Sequence, residues 1–193
     1  LALFDYTYGL NGQVLPAGSG FQVDVLDEAG TTRLLADVKA AAGQSDAVIC
    51  FLHIGEEYQT APTDEQRCLV ERLVDAGADA VICSHTHVLG PHEALRTAAG
   101  NEGVVFWGLG NFMTGQWDRA ETVLGGMARL TIEKQTSAAG ATGAGGTART
   151  GDNKKARIAS FEIIPVVCHT DIDGSVAVYL LDDYTEELAE RHA

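Results

Sequence analysis

Apolar residues along the chain form two short continuous runs with a segment of helical periodicity between them. Residues 46–52 (DAVICFL) and 79–83 (DAVIC) suit buried strands, because a strand covered on both faces has no polar side to alternate with. Residues 63–76 repeat apolar side chains at helical spacing, and Thr63 and Gln66 form a capping-box pattern at the start. This order of strand, helix and strand predicts parallel pairing through a right-handed crossover.

The rest of the pattern completes a prediction of a mixed α/β fold. Residues 137–153 (SAAGATGAGGTARTGDN) contain too little apolar material to pack, so we expect a flexible Gly/Ala-rich insert there. Further elements are predicted as follows: a strand within 1–12, a helix over 31–42, strands over 104–107 and 127–132, an antiparallel pair over 157–167 and 175–181, and a short terminal helix.

Composition narrows the class of protein and of partner. The chain has 193 residues, of which 46% are apolar, as expected for one globular domain or part of one. It has 13 basic and 27 acidic residues, for a net charge of −14, which would repel a phosphate backbone. We therefore expect no nucleic-acid partner, and an anionic substrate would need metal ions or a focused positive site.

The four cysteines show no CxxC spacing, and three of them lie in strand-like runs. We interpret them as small buried hydrophobic residues rather than as a disulfide or zinc cluster. They are Cys50, Cys68, Cys83 and Cys168.

Three histidines follow the two buried strands. His53 ends the first strand, and His85 and His87 form an HxH motif directly after the second. Because parallel strands deliver their carboxyl ends to one edge of a sheet, we expect the three imidazoles to meet there. Protonated imidazoles would repel one another, whereas neutral ones are good ligands for divalent zinc, manganese or iron. The alternative for HxH alone is a solvated surface loop.

Further polar residues lie close in sequence to these strand ends. Glu56, Glu57 and Asn111 are candidates to complete a coordination sphere, or else to support or border it. Residues 108–112 (GLGNF) place two glycines after a predicted strand. They allow close approach of the backbone to a ligand or neighbouring loop, or form an ordinary tight turn.

Several motifs together resemble one known family. YTYGLNG, then FLHIGEEYQTAPTDEQRCLVERLVDAGADAVICSHTHVLGPHE, then VVFWGLGNFMTGQ are similar to the carboxy-terminal motifs of CapA-like bacterial capsule and poly-γ-glutamate synthesis proteins, of the calcineurin-like metallophosphoesterase superfamily. The resemblance implies a four-layer α/β/β/α sandwich with two divalent metal ions (Mn, Zn or Fe) at the strand ends. It also implies that His53 (from the family's HxG motif) and His85 and His87 (from its GHxH motif) are metal ligands. Residues that match further motifs, and are expected to line the same cleft, are Tyr6, Thr7, Asn11 and Asn111.

The chain departs from this family in two ways. Ser84 replaces a usual glycine and Thr86 a frequent proline. The family's aspartate ligands and Asn-His pair belong to its amino-terminal half, and residues 1–116, which carry the matching motifs, contain no GDxxx or GNHE stretch. We therefore expect residues 1–193 to be the carboxy-terminal portion of one metallophosphoesterase-like domain whose amino-terminal part is missing. Alone, such a chain would bind one metal weakly and be inactive.

The resemblance favours a metal-dependent phosphoesterase-like protein of capsule or poly-γ-glutamate synthesis. It implies an anionic polymer or phosphate-ester substrate, subunits of a membrane synthase complex as partners, and an extracytoplasmic location with an upstream membrane anchor. One alternative is a non-catalytic scaffold or polymer-binding component of that complex. Another is a general small-ester metallophosphatase.

Overall fold

A computed structural model describes residues 1–116, 119–134 and 156–192. The predicted insert at 137–153 lies outside these residues. The strands and helices are β1 (Ala2–Thr7), α1 (Glu28–Ala42), β2 (Val48–His53), α2 (Asp64–Ala76), β3 (Ala80–Ser84), β4 (His92–Arg96), β5 (Glu102–Phe106), α3 (Ala120–Val123), β6 (Leu124–Lys134), β7 (Ala156–Thr170), β8 (Val176–Leu180) and α4 (Glu186–Glu190). Single 3-10 turns lie at Gly20–Gln22 and Leu181–Asp183.

The first sheet has five strands in the order β1-β2-β3-β5-β4. Strands β1, β2, β3 and β5 pair in parallel, and β4 is antiparallel to β5. The prediction that β2, α2 and β3 form a parallel crossover unit is confirmed. In the register, Thr7 lies opposite His53, and His53 lies opposite Ser84, so the ends of three neighbouring strands stand side by side.

The helix boundaries follow from capping residues. In α2, Thr63 accepts a hydrogen bond from the backbone of Gln66 and Gln66 accepts one in return, so the predicted capping box is confirmed. Helix α1 begins three residues before the predicted start, because the Asp27 carboxylate accepts a hydrogen bond from Gly30 N at 2.6 Å and caps the helix at Glu28.

The core lies on both faces of the five-stranded sheet. On one face, α1 and α2 bury apolar side chains such as Leu34 and Leu73. On the other, the antiparallel sheet β6-β7-β8 packs against β3 and β5, and Phe106 meets Phe161 edge to face at 6.2 Å. The α/β class is therefore confirmed as a layer of helices, a mixed sheet and a second, antiparallel sheet. The fourth layer of the expected sandwich stays a prediction.

The remaining sequence-based expectations are mostly confirmed. The antiparallel pair near the carboxyl end is β7 and β8, and the terminal helix is α4. Strand β4 was not predicted from sequence, because the strand is short and most of its residues are polar.

All four cysteines are free thiols, and three are buried as expected, but Cys68 is exposed because it faces solvent from α2. Among the described residues, no helix is long and apolar enough to cross a membrane.

Candidate functional site

The candidate site lies where β1, β2 and β3 end and their loops begin. His53 is the last residue of β2, and His85 follows directly after β3. The rings of these two residues meet edge to face with centroids 4.8 Å apart, and the His87 ring lies 6.2 Å from that of His85. The structure thus brings His53 and the HxH motif to one edge of the sheet, as predicted. These three residues are called the histidine cluster below.

His53 and His85 approach each other through ring nitrogens. The distance between His53 Nε2 and His85 Nδ1 is 3.2 Å. The other nitrogen of His53, Nδ1, lies 3.1 Å from the hydroxyl oxygen of Ser84. When Nδ1–H donates to this hydroxyl, Nε2 carries the lone pair and points to His85. Ser84 therefore supplies a hydrogen-bond partner that a glycine at this position would not have.

The orientation of His87 is set by Asn111, a buried amide on the adjoining loop. Asn111 Nδ2 donates to the backbone carbonyl of Thr122 at 3.0 Å, which leaves Asn111 Oδ1 as the acceptor facing His87 Nδ1 at 2.8 Å. His87 must therefore carry its proton on Nδ1, because an amide oxygen can only accept. The lone pair of neutral His87 lies on Nε2, which is 3.8 Å from Glu57 Oε1.

Burial and neighbouring charges favour the neutral form of His53 by lowering its pKa. Burial is the main cause that lowers the pKa of His53, and the neighbouring charges of His85 and His87 lower it further. Asp5, on the neighbouring strand β1, raises the pKa of His53, with a smaller effect. A neutral imidazole has an electron pair to share, so the lowered pKa favours the form that binds a metal ion.

The loops of the site contain backbone conformations that residues other than glycine rarely adopt. In the described residues, positive φ values outside glycine occur only at Asn11 (49°), Tyr58 (64°), His85 (101°) and His87 (60°). All four lie in the loops after β1, β2 and β3. Asparagine and histidine are enriched in the left-handed region, but a tyrosine there and His85 at 101°, outside its usual range, imply strain that the surrounding contacts must hold. One such contact is the 2.7 Å hydrogen bond from Tyr58 N to the carbonyl of Thr86.

The GLGNF segment packs against the HxH loop. A Cβ atom on Gly108 would stand 2.7 Å from the Thr86 hydroxyl and 3.0 Å from the Val88 carbonyl, and Gly110 has a φ of 64°. Of the two alternatives for these glycines, the structure therefore supports close approach to a neighbouring loop. This approach also brings Asn111 within reach of His87.

The other predicted site residues are placed as follows. Tyr6 is buried in the core beneath α1, and its hydroxyl lies 3.5 Å from Arg33 Nε, so it is not in contact with the histidine cluster. Thr7 donates its hydroxyl to the carbonyl of Gly9 at 3.0 Å. Asn11 accepts a hydrogen bond from the Tyr8 hydroxyl. Glu56 is exposed in the same loop as Glu57.

Three aromatic or basic residues of the site were missed by the sequence analysis. The Tyr8 ring packs against His85 at 4.5 Å, and the Tyr58 ring lies 5.9 Å from that of His87. The guanidinium of Arg119 covers the Tyr58 ring at 4.2 Å. Strand alternation would have placed Tyr8 on the core face with Phe4 and Tyr6, so it gave no signal for a site residue. No local pattern points to Arg119.

The donor set can be compared with the geometry of a metal site. Two nitrogen ligands at about 2.0–2.1 Å from one tetrahedral zinc ion stand about 3.3–3.4 Å apart. The 3.2 Å between His53 Nε2 and His85 Nδ1 fits this separation. Within the described part of the chain, however, no three His, Cys, Asp or Glu side chains are grouped closely enough to hold a metal ion. The arrangement therefore supplies two converging nitrogens and a third histidine nearby.

Comparison with known proteins identifies the family. A family model described as bacterial capsule synthesis protein PGA_cap matches residues 2–116, more than half of the chain. The chain therefore belongs to this family of bacterial capsule synthesis proteins. The match covers β1 to β5 and all the loops that carry the histidine cluster.

Two curated relatives carry matching names. The capsule biosynthesis protein CapA of Bacillus anthracis is 38% identical over 80 residues, which are 41% of this chain and 18% of the relative. The PGA biosynthesis protein CapA of Bacillus subtilis (strain 168) is 40% identical over 83 residues, 42% of this chain and 20% of the relative. The aligned segment thus spans a fifth or less of the length of these relatives.

Proposed function

We propose that this chain is the carboxy-terminal part of a metal-dependent, phosphoesterase-like domain that acts in the synthesis of capsule or poly-γ-glutamate. The observation that carries the proposal is the pair of imidazole nitrogens, His53 Nε2 and His85 Nδ1, 3.2 Å apart at the strand ends of the family-matching segment. A phosphoesterase site needs such neutral ligands at the edge of a sheet, where substrate has access.

The residues around the pair support the role of metal ligands. Asn111 sets the tautomer of His87, and Ser84 places a hydroxyl oxygen at His53 Nδ1, as oxygen partners of metal-binding histidines do. His53 and His87 would offer Nε2 and His85 would offer Nδ1 to divalent manganese, zinc or iron. When bound, such ions would activate water and stabilise the oxyanions of phosphoryl transfer. Glu57 and Tyr58 border the same opening and would orient the substrate.

The proposal requires ligands beyond the described residues. Three histidines cannot hold the two ions that a binuclear phosphoesterase uses, since each ion needs several ligands and a bridging group. We propose that an upstream segment supplies the remaining carboxylate and amide ligands and completes a four-layer sandwich. The alignment with only a fifth or less of each relative is consistent with such a segment.

The proposed substrate is an anionic polymer or a phosphate ester, and the proposed partners are subunits of a membrane synthase complex. Both follow from the names of the relatives, which describe capsule and PGA biosynthesis. The same names support a role at the cell surface, for which we propose an upstream membrane anchor.

The test is the metal content of the complete gene product, measured by mass spectrometry beside a variant with His85→Ala and His87→Ala. We expect two ions per chain in the unaltered protein, loss of at least one ion in the variant, and metal-dependent hydrolysis of a generic aryl phosphate. A matched control is His92→Ala, which removes an exposed imidazole on β4. Absence of metal from the unaltered protein would contradict the proposal and favour a non-catalytic scaffold.

A further inference from the structure

Arg119 stands out among the arginines because of what its side chain contacts. In the described residues, six arginines form ion pairs with carboxylates: Arg33, Arg67, Arg96, Arg129, Arg157 and Arg191. No described carboxylate forms such a pair with Arg72 or Arg119, and of these two it is Arg119 whose guanidinium covers an aromatic ring, that of Tyr58, at 4.2 Å. In a chain with a net charge of −14, this places a cation that has no carboxylate partner among the described residues next to Tyr58, which in turn lies beside His87.

The backbone of Arg119 is tied to the histidine cluster by a continuous chain of hydrogen bonds. Its carbonyl accepts from the Thr122 backbone N–H at 3.0 Å and from the Thr122 hydroxyl at 2.8 Å. The carbonyl of Thr122, a fully buried residue, accepts from Asn111, and Asn111 accepts from His87. The same turn therefore fixes both the orientation of His87 and the origin of the Arg119 side chain.

Tyr58 gives the guanidinium its second point of support. The Tyr58 ring lies 4.2 Å from the Arg119 guanidinium and 5.9 Å from the His87 ring. Its backbone has a φ of 64° and is held by the hydrogen bond to Thr86. A guanidinium that covers an aromatic ring with its flat face keeps its N–H donors at its rim, where they match the two oxygens of a carboxylate or phosphate.

From this geometry we propose that Arg119, stacked on Tyr58, is an anion-binding subsite that holds a carboxylate or phosphate group of the substrate next to the histidine cluster. This inference rests on the proposed function, since it assigns a binding role to a residue beside the proposed metal site. It names the substrate class as an oxyanion with two acceptor oxygens. It also explains how a strongly acidic chain admits an anionic substrate, because the attraction is local.

The test is calorimetric binding to the complete gene product of two probes, a short oligomer of γ-linked glutamate and inorganic phosphate. We expect Arg119→Ala to weaken binding of at least one probe about ten- to hundredfold, as for loss of a charge-assisted bidentate contact. Arg119→Lys should recover only part of the affinity, because lysine lacks the planar fork. Tyr58→Phe should retain the affinity and Tyr58→Leu should lose it, since only the phenylalanine ring can still carry the guanidinium.

A matched control is Arg72→Ala, which removes the same charge from the exposed side of α2. If Arg119→Ala loses affinity only for the glutamate oligomer, the anion that this subsite binds is a carboxylate of the polymer. If it loses affinity only for inorganic phosphate, the anion is the phosphate group of a phosphate ester. Equal affinities of Arg119→Ala and the unaltered protein for both probes would overturn the inference. Metal content, measured on the same variants, separates this failure from a failure of the proposed function, because Arg119→Ala leaves all three histidines in place.

Discussion

Replacing Asn111 with alanine should change the tautomer of His87 without touching the histidine itself. The buried amide joins His87 Nδ1 at 2.8 Å to the carbonyl of Thr122 at 3.0 Å. In Asn111→Ala both bonds are lost, and the Nδ1–H tautomer loses the acceptor that stabilises it. We therefore expect the proton of His87 to move to Nε2 in a large share of the molecules, which removes the lone pair that faces Glu57.

The size of the effect follows from the two lost hydrogen bonds. Each contributes about 0.5–1.5 kcal/mol net, so the free energy of unfolding should fall by about 1–3 kcal/mol. For a chain of this length, a loss of about 2 kcal/mol lowers the melting temperature by about 4–8 °C. A loss of about 1 kcal/mol from the bond to His87 changes its tautomer ratio about fivefold. Affinity of the site for a divalent metal should fall about ten- to hundredfold, as for other oxygen partners of metal-binding histidines.

The assay is a long-range nitrogen–proton NMR spectrum of the histidine rings, which distinguishes the two neutral tautomers. Asn111→Asp is the informative second variant, because its carboxylate keeps an acceptor for His87 Nδ1 while losing the donor to Thr122. It should retain the tautomer but lose stability. Asn101→Ala serves as the control, since it removes an exposed amide that donates to Asp75 at 2.8 Å. An Nε2–H tautomer of His87 in the unaltered chain, or an unchanged tautomer in Asn111→Ala, would show that Asn111 does not set the tautomer of His87.

Three further predictions concern other parts of the chain. Ser84→Gly should lower the metal affinity of the site by up to about tenfold, because the His53 ring loses its oxygen partner; equal affinities in a metal titration would argue against this role. Cys68 should be the only thiol that a thiol reagent modifies rapidly at pH 8, because the other three thiols are buried. Burial also raises the pKa of the Cys50 thiol to about 12. Fast modification of a second thiol, detected by mass spectrometry, would contradict this packing. Burial is the main cause that lowers the pKa of His192 in the folded chain. Below pH 6.5, about the ordinary pKa of histidine, the unfolded chain therefore binds more protons than the folded chain. The free energy of unfolding should fall as the pH drops from about 6.5 toward the pKa of the folded state. Thermal unfolding between pH 7.5 and 5 measures this, and His192→Gln should show a smaller loss on acidification.

The elements that could be predicted from sequence are those with strong local signals. The paired DAVIC strands and the capping box at Thr63 predicted β2, α2 and β3, and the crossover rule then placed His53 beside the HxH motif. Only general rules of strand pairing were needed for this step. The expectation that these histidines meet at one edge therefore holds independently of family resemblance.

The parts that could not be predicted depend on long-range contacts or on unusual backbone. The Tyr58 ring contacts His87 from a backbone with a positive φ, and no sequence rule predicts a positive φ for a tyrosine. Arg119 reaches Tyr58 across more than sixty residues of sequence through the turn held by Thr122. Strand β4 (HEALR) turns Glu93 and Leu95 inward, so its inward side carries a single apolar residue and the apolar signal is weak.

The most direct test of the central claim is a titration of the chain with zinc, followed through the histidine ring nitrogens by NMR. We predict that metal binding shifts His53 Nε2, His85 Nδ1 and His87 Nε2 together, with saturation at one ion per chain. His169, a buried histidine whose Nδ1 lies 3.3 Å from that of His192, should be unaffected. Shifts that begin at His169 or His192, or no saturable shift at the histidine cluster, would contradict the claim that this edge of the sheet is a metal site.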